Sequence, residues 1–223
     1  MRILSFNNAD ELARQTEVLM REFHHELQRP LRGFFPTGRS AEAFYALLRN
    51  DPIWRQNFFG IQIDEFNQPE HLFLSQLQNQ VILPLDLQEQ FETLDPIWSD
   101  QEMKLHIRNV LSREIDFALL GLGPNGHIGF HEPGLGDQTF LGGQVELSEQ
   151  SYKRVKGATT RNAITFGAGA FLKAKKIFMI ATGEEKIAIF SQFLKTSPSI
   201  ALPASLLKDH ADFTVLTTFN GAG

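Results

Sequence analysis

The sequence predicts an α/β fold in one domain, built on a largely parallel sheet. Short apolar runs of four to six residues alternate with longer stretches that have helical periodicity. Several of these runs end in loops that contain Gly, Ser and Thr, and the 223 residues contain no repeat, low-complexity tract or linker. Strands that alternate with helices pair in parallel through right-handed crossovers. Residues 1–223 are therefore expected to form a single domain.

The elements follow in order along the chain. Helices are expected where apolar residues recur every three to four positions and a capping residue precedes them. Five or six strands are predicted, at residues 2–6, 31–35, 58–63, 117–120, 177–181 and 213–216. The predicted helices cover residues 8–28, 41–48, 71–80, 100–111 and 167–172, a stretch after 182–186 that reaches 194, and 203–207. Residues 145–155 contain short runs that resemble strands.

The most informative stretch is residues 116–134, where the strand at 117–120 ends in a glycine-dense loop. Glycines let the backbone adopt positive φ and let a ligand approach the main chain closely. Loops at the carboxyl ends of parallel strands bind ligands in open α/β folds. The loop carries three ionisable residues, His127, His131 and Glu132. The alternative interpretation is a tight strand-to-helix turn with incidental polar residues.

Residues 36–40 form a second candidate site, since a strand, a short loop with hydroxyl groups and a helix follow one another. Backbone N–H groups and the helix dipole favour an anion there, and Thr37 and Ser40 can add hydrogen bonds. Ser40 is equally well explained as an ordinary N-cap. The loop is shorter than a P-loop and lacks its Gly-Lys-Ser/Thr ending, so no nucleoside triphosphate site is predicted. Lys186, in the first turn of a helix, is either a surface residue or a partner for a bound anion.

Asp64 and Glu65 follow the strand at 58–63. Successive strand side chains face opposite ways, so one of the two carboxylates can enter a cleft and act as a general base. The alternative is a pair of solvated acids that open a turn.

Composition excludes several classes of function. The formal net charge is -5 and the 21 Lys and Arg residues form no basic cluster, which argues against a nucleic-acid partner. There are no cysteines, and the seven histidines lack ligand spacing with carboxylates, so no metal site is expected. No apolar run approaches the ~18 residues of a membrane span, and no signal peptide is visible at Met1, so a cytoplasmic protein without a membrane partner is expected.

Together these motifs resemble those of the glucosamine-6-phosphate deaminase/isomerase family, within the group that includes 6-phosphogluconolactonases. The most specific block, residues 126–134 (GHIGFHEPG), is similar to the deaminases' GHIGFNEPG, whereas lactonases typically lack the Glu-Pro ending. Asp64-Glu65-Phe66 resembles the deaminases' Asp-Glu-Tyr better than the lactonases' Asp-Glu-Arg. Matching blocks also occur in register at residues 36–38, 163–167, 182–186 and 203–205.

The resemblance implies a Rossmann-like fold with helices on both faces of the sheet. It also implies conversion of an amino-sugar 6-phosphate to a ketose 6-phosphate and ammonia, without a cofactor. His127 would open the sugar ring, oriented by Glu132, and Asp64 would carry a proton from C2 to C1. The sugar-phosphate substrate is the expected partner, and a homo-oligomer is compatible with the sequence. The implied substrate- and phosphate-binding residues are Thr37, Gly38, Arg39, Ser40, Gly121 and Lys186.

Several positions depart from the family pattern. Asn125 stands where many deaminases have Asp in the ring-opening group; it can orient His127 but cannot take a proton. His131 replaces the commoner Asn, and Arg39 replaces a second Gly, where it either contacts the phosphate or narrows the pocket. The family's arginine beyond the lid has only Lys153 and Arg154 as candidates. Two other functions stay open, a 6-phosphogluconolactonase-like hydrolase and a non-catalytic sugar-phosphate sensor.

Overall fold

The computed structural model describes residues 1–219, and a seven-stranded parallel sheet forms their centre. This sheet consists of β1 (Arg2–Ser5), β2 (Leu31–Phe35), β3 (Phe58–Gln62), β5 (Phe91–Glu92), β6 (Ile115–Gly121), β9 (Ala174–Ala181) and β10 (Phe213–Thr217). The strand order is β1-β10-β9-β6-β2-β3-β5, with β6 in the middle between β9 and β2. All six predicted strands are present in it, which confirms the α/β prediction.

A second sheet was not predicted. It is antiparallel, has the order β4-β8-β7, and consists of β4 (Asp64–Phe66), β8 (Asn162–Phe166) and β7 (Gly142–Glu146). The predicted count of five or six strands is therefore wrong, because the described residues contain ten. The stretch predicted as one strand at 58–63 ends at Gln62, and the chain passes through Ile63 into the second sheet.

Helices cover both faces of the parallel sheet. They are α1 (Ala9–Leu27), α2 (Glu42–Asn50), α3 (Leu72–Leu77), α4 (Asp100–Leu111), α5 (Glu149–Tyr152), α6 (Ala168–Phe171) and α7 (Ile187–Lys195). Neighbouring strand residues serve opposite faces. Phe35 belongs to the core cluster that includes residues of α1, α2 and α3, whereas Phe34 belongs to the cluster that includes residues of α4, α6 and α7. This alternation, with most positions of the five inner strands buried, is what a parallel sheet between two helical layers requires.

All strands of the large sheet run the same way, so their carboxyl ends meet at one edge. The loops after β2, β6 and β9, which are neighbours in the sheet, contain residues 36–40, 122–134 and 182–186. Segments up to 146 residues apart in sequence are thereby brought to the same place. Within residues 1–219, none of the helices has both the length and the apolar character needed to span a bilayer.

Candidate active site

A cleft of about 1150 Å³ opens at this edge of the sheet. Every predicted site residue lines it except Asn125 and Glu132, which lie behind His127. The lining side chains also include Phe73, Gln76, Phe130, Ser151, Arg154 and Lys156. The structure therefore brings these distant motifs together around one cavity.

One end of the cleft is built to receive an anion. Lys186 Nζ donates to Ser40 Oγ over 2.9 Å, which joins the loop after β9 to the loop after β2. The loop after β2 turns at Gly38, with φ of 90°, and residues 39–41 then form a 3₁₀ turn ahead of α2. Ser40 does not cap that helix with its side chain, so its N-cap interpretation is not supported.

Lys186 and Arg39 occupy different environments at this end. Lys186 is half-buried, and desolvation lowers the pKa of its ammonium group, opposed by the charge of Glu185 and assisted by that of Arg39. The side chain of Arg39 is 86% exposed and pairs with Glu185 at 3.2 Å on the rim. An anion in the cleft would lie against Lys186 and the backbone of residues 37–40, with Arg39 contributing long-range attraction.

Close to this end, His127 is held by a hydrogen-bond relay rather than by Glu132 directly. His127 Nδ1 lies 2.7 Å from Asn125 Oδ1, and Asn125 Nδ2 donates to Glu132 Oε1 over 3.2 Å. The expected direct contact between His127 and Glu132 is therefore replaced by one through Asn125. An ionised carboxylate only accepts hydrogen bonds, so the amide nitrogen must face Glu132 and the amide oxygen must face His127. This arrangement fixes the proton of His127 on Nδ1 and leaves Nε2 as the acceptor.

Close packing in the loop supports the imidazole. A Cβ placed on Gly123 would lie 2.2 Å from the His127 ring, so only glycine allows the ring to rest on the main chain there. Desolvation, with repulsion from Lys186 and Arg154, outweighs the attraction of Glu132 and lowers the pKa of His127 to about 4. The side chain is therefore neutral at physiological pH and able to accept a proton.

Glu132 is surrounded by donors that sequence reasoning missed. Its carboxylate accepts from the Ser148 backbone N–H at 2.5 Å, from Ser148 Oγ at 3.0 Å and from Ser151 Oγ. Burial alone would raise the pKa of Glu132, but these bonds and that from Asn125 lower it. The carboxylate thus stays ionised although it is 5% exposed. The Ser-X-X-Ser spacing of Ser148 and Ser151 predicts the cap of a short helix. It does not predict which carboxylate these two serines bind.

The adjacent acids Asp64 and Glu65 take opposite roles. Asp64 lines the cleft beside Gly129, where a Cβ would lie 3.5 Å from Asp64 Oδ2. Burial, and secondarily the charge of Glu65, raises the pKa of Asp64 well above its usual range. No ion pair to Asp64 occurs within residues 1–219. A cationic ligand group would therefore be attracted to an ionised Asp64.

Glu65 points the other way and stabilises the fold. It is fully buried and accepts from the backbone N–H groups of Phe66, Phe73 and Leu74, the last two at the start of α3. Gln62 Nε2 donates to it as well, at 3.2 Å. Both acids are buried, so the interpretation as two solvated residues is wrong, and Asp64 is the one that faces the cleft.

We expect Glu65→Gln to lower stability with little loss of catalytic competence. The glutamine NH₂ group would face backbone donors and leave at least one unsatisfied, which costs about 1–3 kcal/mol. That corresponds to a fall of roughly 3–10 °C in Tm for a chain of this size. Thermal unfolding followed by circular dichroism measures it. A variant with the wild-type Tm but without activity would instead assign the base role to Glu65.

The structure shows where two further departures from the family pattern lie. His131 is fully buried: Nδ1 accepts from the Ala168 N–H and Nε2 donates to Gly136 O, so this side chain supports the loop and lies outside the cleft. Arg154 lines the cleft, whereas Lys153 does not and pairs with Glu149 at 2.6 Å. Arg154 is therefore the better candidate for a ligand contact.

In the part of the chain described, no group of three His, Asp or Glu side chains could hold a metal ion.

Comparison with known proteins agrees with this geometry. Residues 65–216 match the family model described as glucosamine-6-phosphate isomerases/6-phosphogluconolactonase. A glucosamine-6-phosphate deaminase of Bacillus thuringiensis (strain Al Hakam) is 30% identical over 234 residues, covering 97% of this chain and 86% of the relative. The same values hold for a glucosamine-6-phosphate deaminase of Bacillus cereus (strain AH820).

Solved structures show the same fold. A monomeric glucosamine-6-phosphate deaminase superposes with a TM-score of 0.87 at 24% identity, over 97% of both chains. The 6-phosphogluconolactonase of Thermotoga maritima superposes with a TM-score of 0.77 at 17% identity, over 96% of both chains. By its sequence match and its fold, the chain belongs to the glucosamine-6-phosphate isomerase/6-phosphogluconolactonase family.

Proposed function

We propose that the protein is an amino-sugar-6-phosphate deaminase that converts glucosamine 6-phosphate, or its galactosamine epimer, to a ketose 6-phosphate and ammonia. The observation that carries this proposal is the buried Asp64 carboxylate, which shares a cleft with the neutral His127. A lactonase needs one base to activate water. Two separate proton-transfer groups suit a reaction that opens a ring and also moves a proton between carbons.

The amino group of the substrate also fits the site. At neutral pH it is largely an ammonium, and Asp64 lacks a cationic partner within residues 1–219. An ammonium at C2 would favour the ionised carboxylate and acidify the C2 proton that this carboxylate removes. A lactone has no positive charge at that position, so it would leave the buried carboxylate uncompensated.

The steps follow from the positions of the groups. The phosphate binds Lys186 and residues 37–40, which places the sugar over His127 and Asp64. His127 Nε2 takes the C1 hydroxyl proton and returns it to the ring oxygen, which opens the ring. Asp64 removes the C2 proton while the C2 ammonium gives up one proton to the C1 carbonyl oxygen, and the product is an enolamine. Asp64 then delivers its proton to C1, which leaves an iminium at C2. Water then adds to the resulting C2 iminium, and ammonia leaves as the C2 ketone forms.

Ammonia release from glucosamine 6-phosphate and galactosamine 6-phosphate, measured side by side with purified protein, tests the proposal. Release from either sugar supports deamination and identifies the preferred epimer. Hydrolysis of 6-phosphogluconolactone without ammonia release from either sugar would overturn the proposal in favour of a lactonase. Phosphate-dependent binding without either reaction would favour a sensor.

We expect Lys186→Ala to raise KM much more than it lowers kcat. Phosphate anchoring is equally strong in ground and transition states, so its loss appears mainly in KM. A charged hydrogen bond contributes about 1.5–3 kcal/mol, or roughly 10- to 150-fold in KM. Lys195→Ala, at the exposed far end of the helix that Lys186 precedes, is the matched control. An unchanged KM for Lys186→Ala would remove this residue from the phosphate site.

A further inference from the structure

The buried carboxylate of Glu132 is held mainly from α5. Three of its hydrogen bonds come from the first turn of that helix: the Ser148 N–H, the Ser148 hydroxyl and the Ser151 hydroxyl. Ser151 is 5% exposed, like Glu132 itself. The fourth bond comes from Asn125, which contacts His127. The serine groups of α5 are therefore linked to His127 through three successive hydrogen bonds.

The Ser148 hydroxyl has no freedom to turn away. It donates to Glu132 Oε1 and accepts from the Ser151 N–H at 3.2 Å, so both of its roles are used. If the serine donors were absent, Glu132 could rotate and release Asn125. Asn125 Oδ1 also accepts from the His127 backbone N–H at 3.2 Å, and this bond alone would then oppose a flip of the amide. A flipped amide would present its NH₂ group to His127 Nδ1 and favour the opposite tautomer, with the proton on Nε2.

We infer that Ser148 and Ser151 are positioning residues for the ring-opening step of the proposed deamination. Their hydrogen bonds hold the Glu132 carboxylate, and Glu132 in turn aligns the Asn125 amide. The aligned amide keeps the His127 proton on Nδ1 and leaves Nε2 free to accept the C1 hydroxyl proton. The inference rests on the proposed function.

The segment that begins with α5 also supplies a residue to the cleft. The same short segment carries Arg154 into the cleft, and the Arg154 N–H donates to Ser151 O at 3.2 Å. The candidate ligand contact at Arg154 and the serines that hold Glu132 therefore belong to one short segment of the chain, separate from the phosphate contacts at Lys186 and residues 37–40.

The double variant Ser148→Ala/Ser151→Ala tests the inference through ammonia release. We expect kcat to fall about 10- to 100-fold, the scale of effect for a slightly misplaced catalytic group. KM should stay within about threefold, because the phosphate contacts are untouched. Ser148→Thr keeps the hydroxyl and the cap and should retain activity. Glu149→Gln, on the same helix and exposed, is the matched control for a change that does not reach Glu132.

The tautomer of His127 provides a readout independent of activity. In ¹⁵N-labelled protein, the imidazole signals of His127, assigned by their loss in His127→Gln, should show a proton on Nδ1 at pH 7. The double variant should show a mixture of tautomers. If the folded double variant kept both the wild-type tautomer and the wild-type kcat, the inference would be overturned. If the double variant does not fold, the same two measurements are made on Ser151→Ala alone. If wild-type protein releases no ammonia, the proposed function fails while the imidazole spectrum still tests the relay.

Discussion

Replacing Asp64 with Asn should abolish deamination while sugar-phosphate binding persists. An amide cannot remove the C2 proton, and loss of a positioned general base lowers rates by about 10²–10⁴-fold. We expect kcat to fall by roughly 10³-fold and KM to change by only a few-fold, since Lys186 and Ser40 are intact. Ammonia release as a function of glucosamine 6-phosphate concentration measures both quantities, and isothermal titration calorimetry measures the dissociation constant of the sugar phosphate directly.

The same variant should be more stable than wild type at neutral pH. The pKa of Asp64 is raised in the folded protein, so the folded state holds this proton more tightly than the unfolded chain does. Its contribution to stability is full below the unfolded pKa of about 3.9 and is lost as pH rises through the folded value. The amide that replaces this carboxyl group in Asp64→Asn does not ionise, so the Tm difference should be small near pH 4 and should grow as pH rises.

The neighbouring carboxylate supplies the control. Glu65→Gln should lose stability and keep activity, the reverse of Asp64→Asn. If Asp64→Asn retained more than about a tenth of wild-type kcat, the carbon base would have to be another group. If both variants lost activity and stability together, the distinction between a cleft-facing base and a helix-capping carboxylate would be wrong.

The parallel sheet could be predicted from the sequence because its strands are local apolar runs between helices. Residues 31–35 and 100–111 were predicted with the bounds that β2 and α4 have. The family resemblance assigned Lys186 and Ser40 to one phosphate site, and the common edge at which parallel strands end is what brings them together across 146 residues. Predicting which loops lie at this edge of the sheet therefore requires no knowledge of side-chain packing.

The second sheet and the relay could not be predicted in the same way. Residues 64–66, 142–146 and 162–166 are short, and their pairing depends on contacts far apart in sequence. Whether Glu132 contacts His127 directly or through Asn125 depends on differences of about one hydrogen-bond length in a packed loop. Periodicity and spacing carry no information on that scale.

Replacing His127 with Gln should lower kcat by about 10²–10⁴-fold, the effect of losing a general acid–base group. Gln keeps hydrogen-bonding capacity but cannot shuttle a proton between the C1 hydroxyl and the ring oxygen. His131→Asn is the matched control from the same motif: it should lower Tm, because two buried hydrogen bonds are changed, and leave kcat within about threefold.

The step that fails in His127→Gln can be identified by varying enzyme concentration. Asp64 is intact in this variant, so it should still process sugar that has opened spontaneously in solution. At high enzyme concentration the rate of ammonia release should therefore level off at the rate of spontaneous ring opening, which the enzyme no longer accelerates. Asp64→Asn should show no such plateau, because its defect lies after ring opening. A His127→Gln rate that stays proportional to enzyme over the whole range, at close to wild-type kcat, would remove His127 from the ring-opening step.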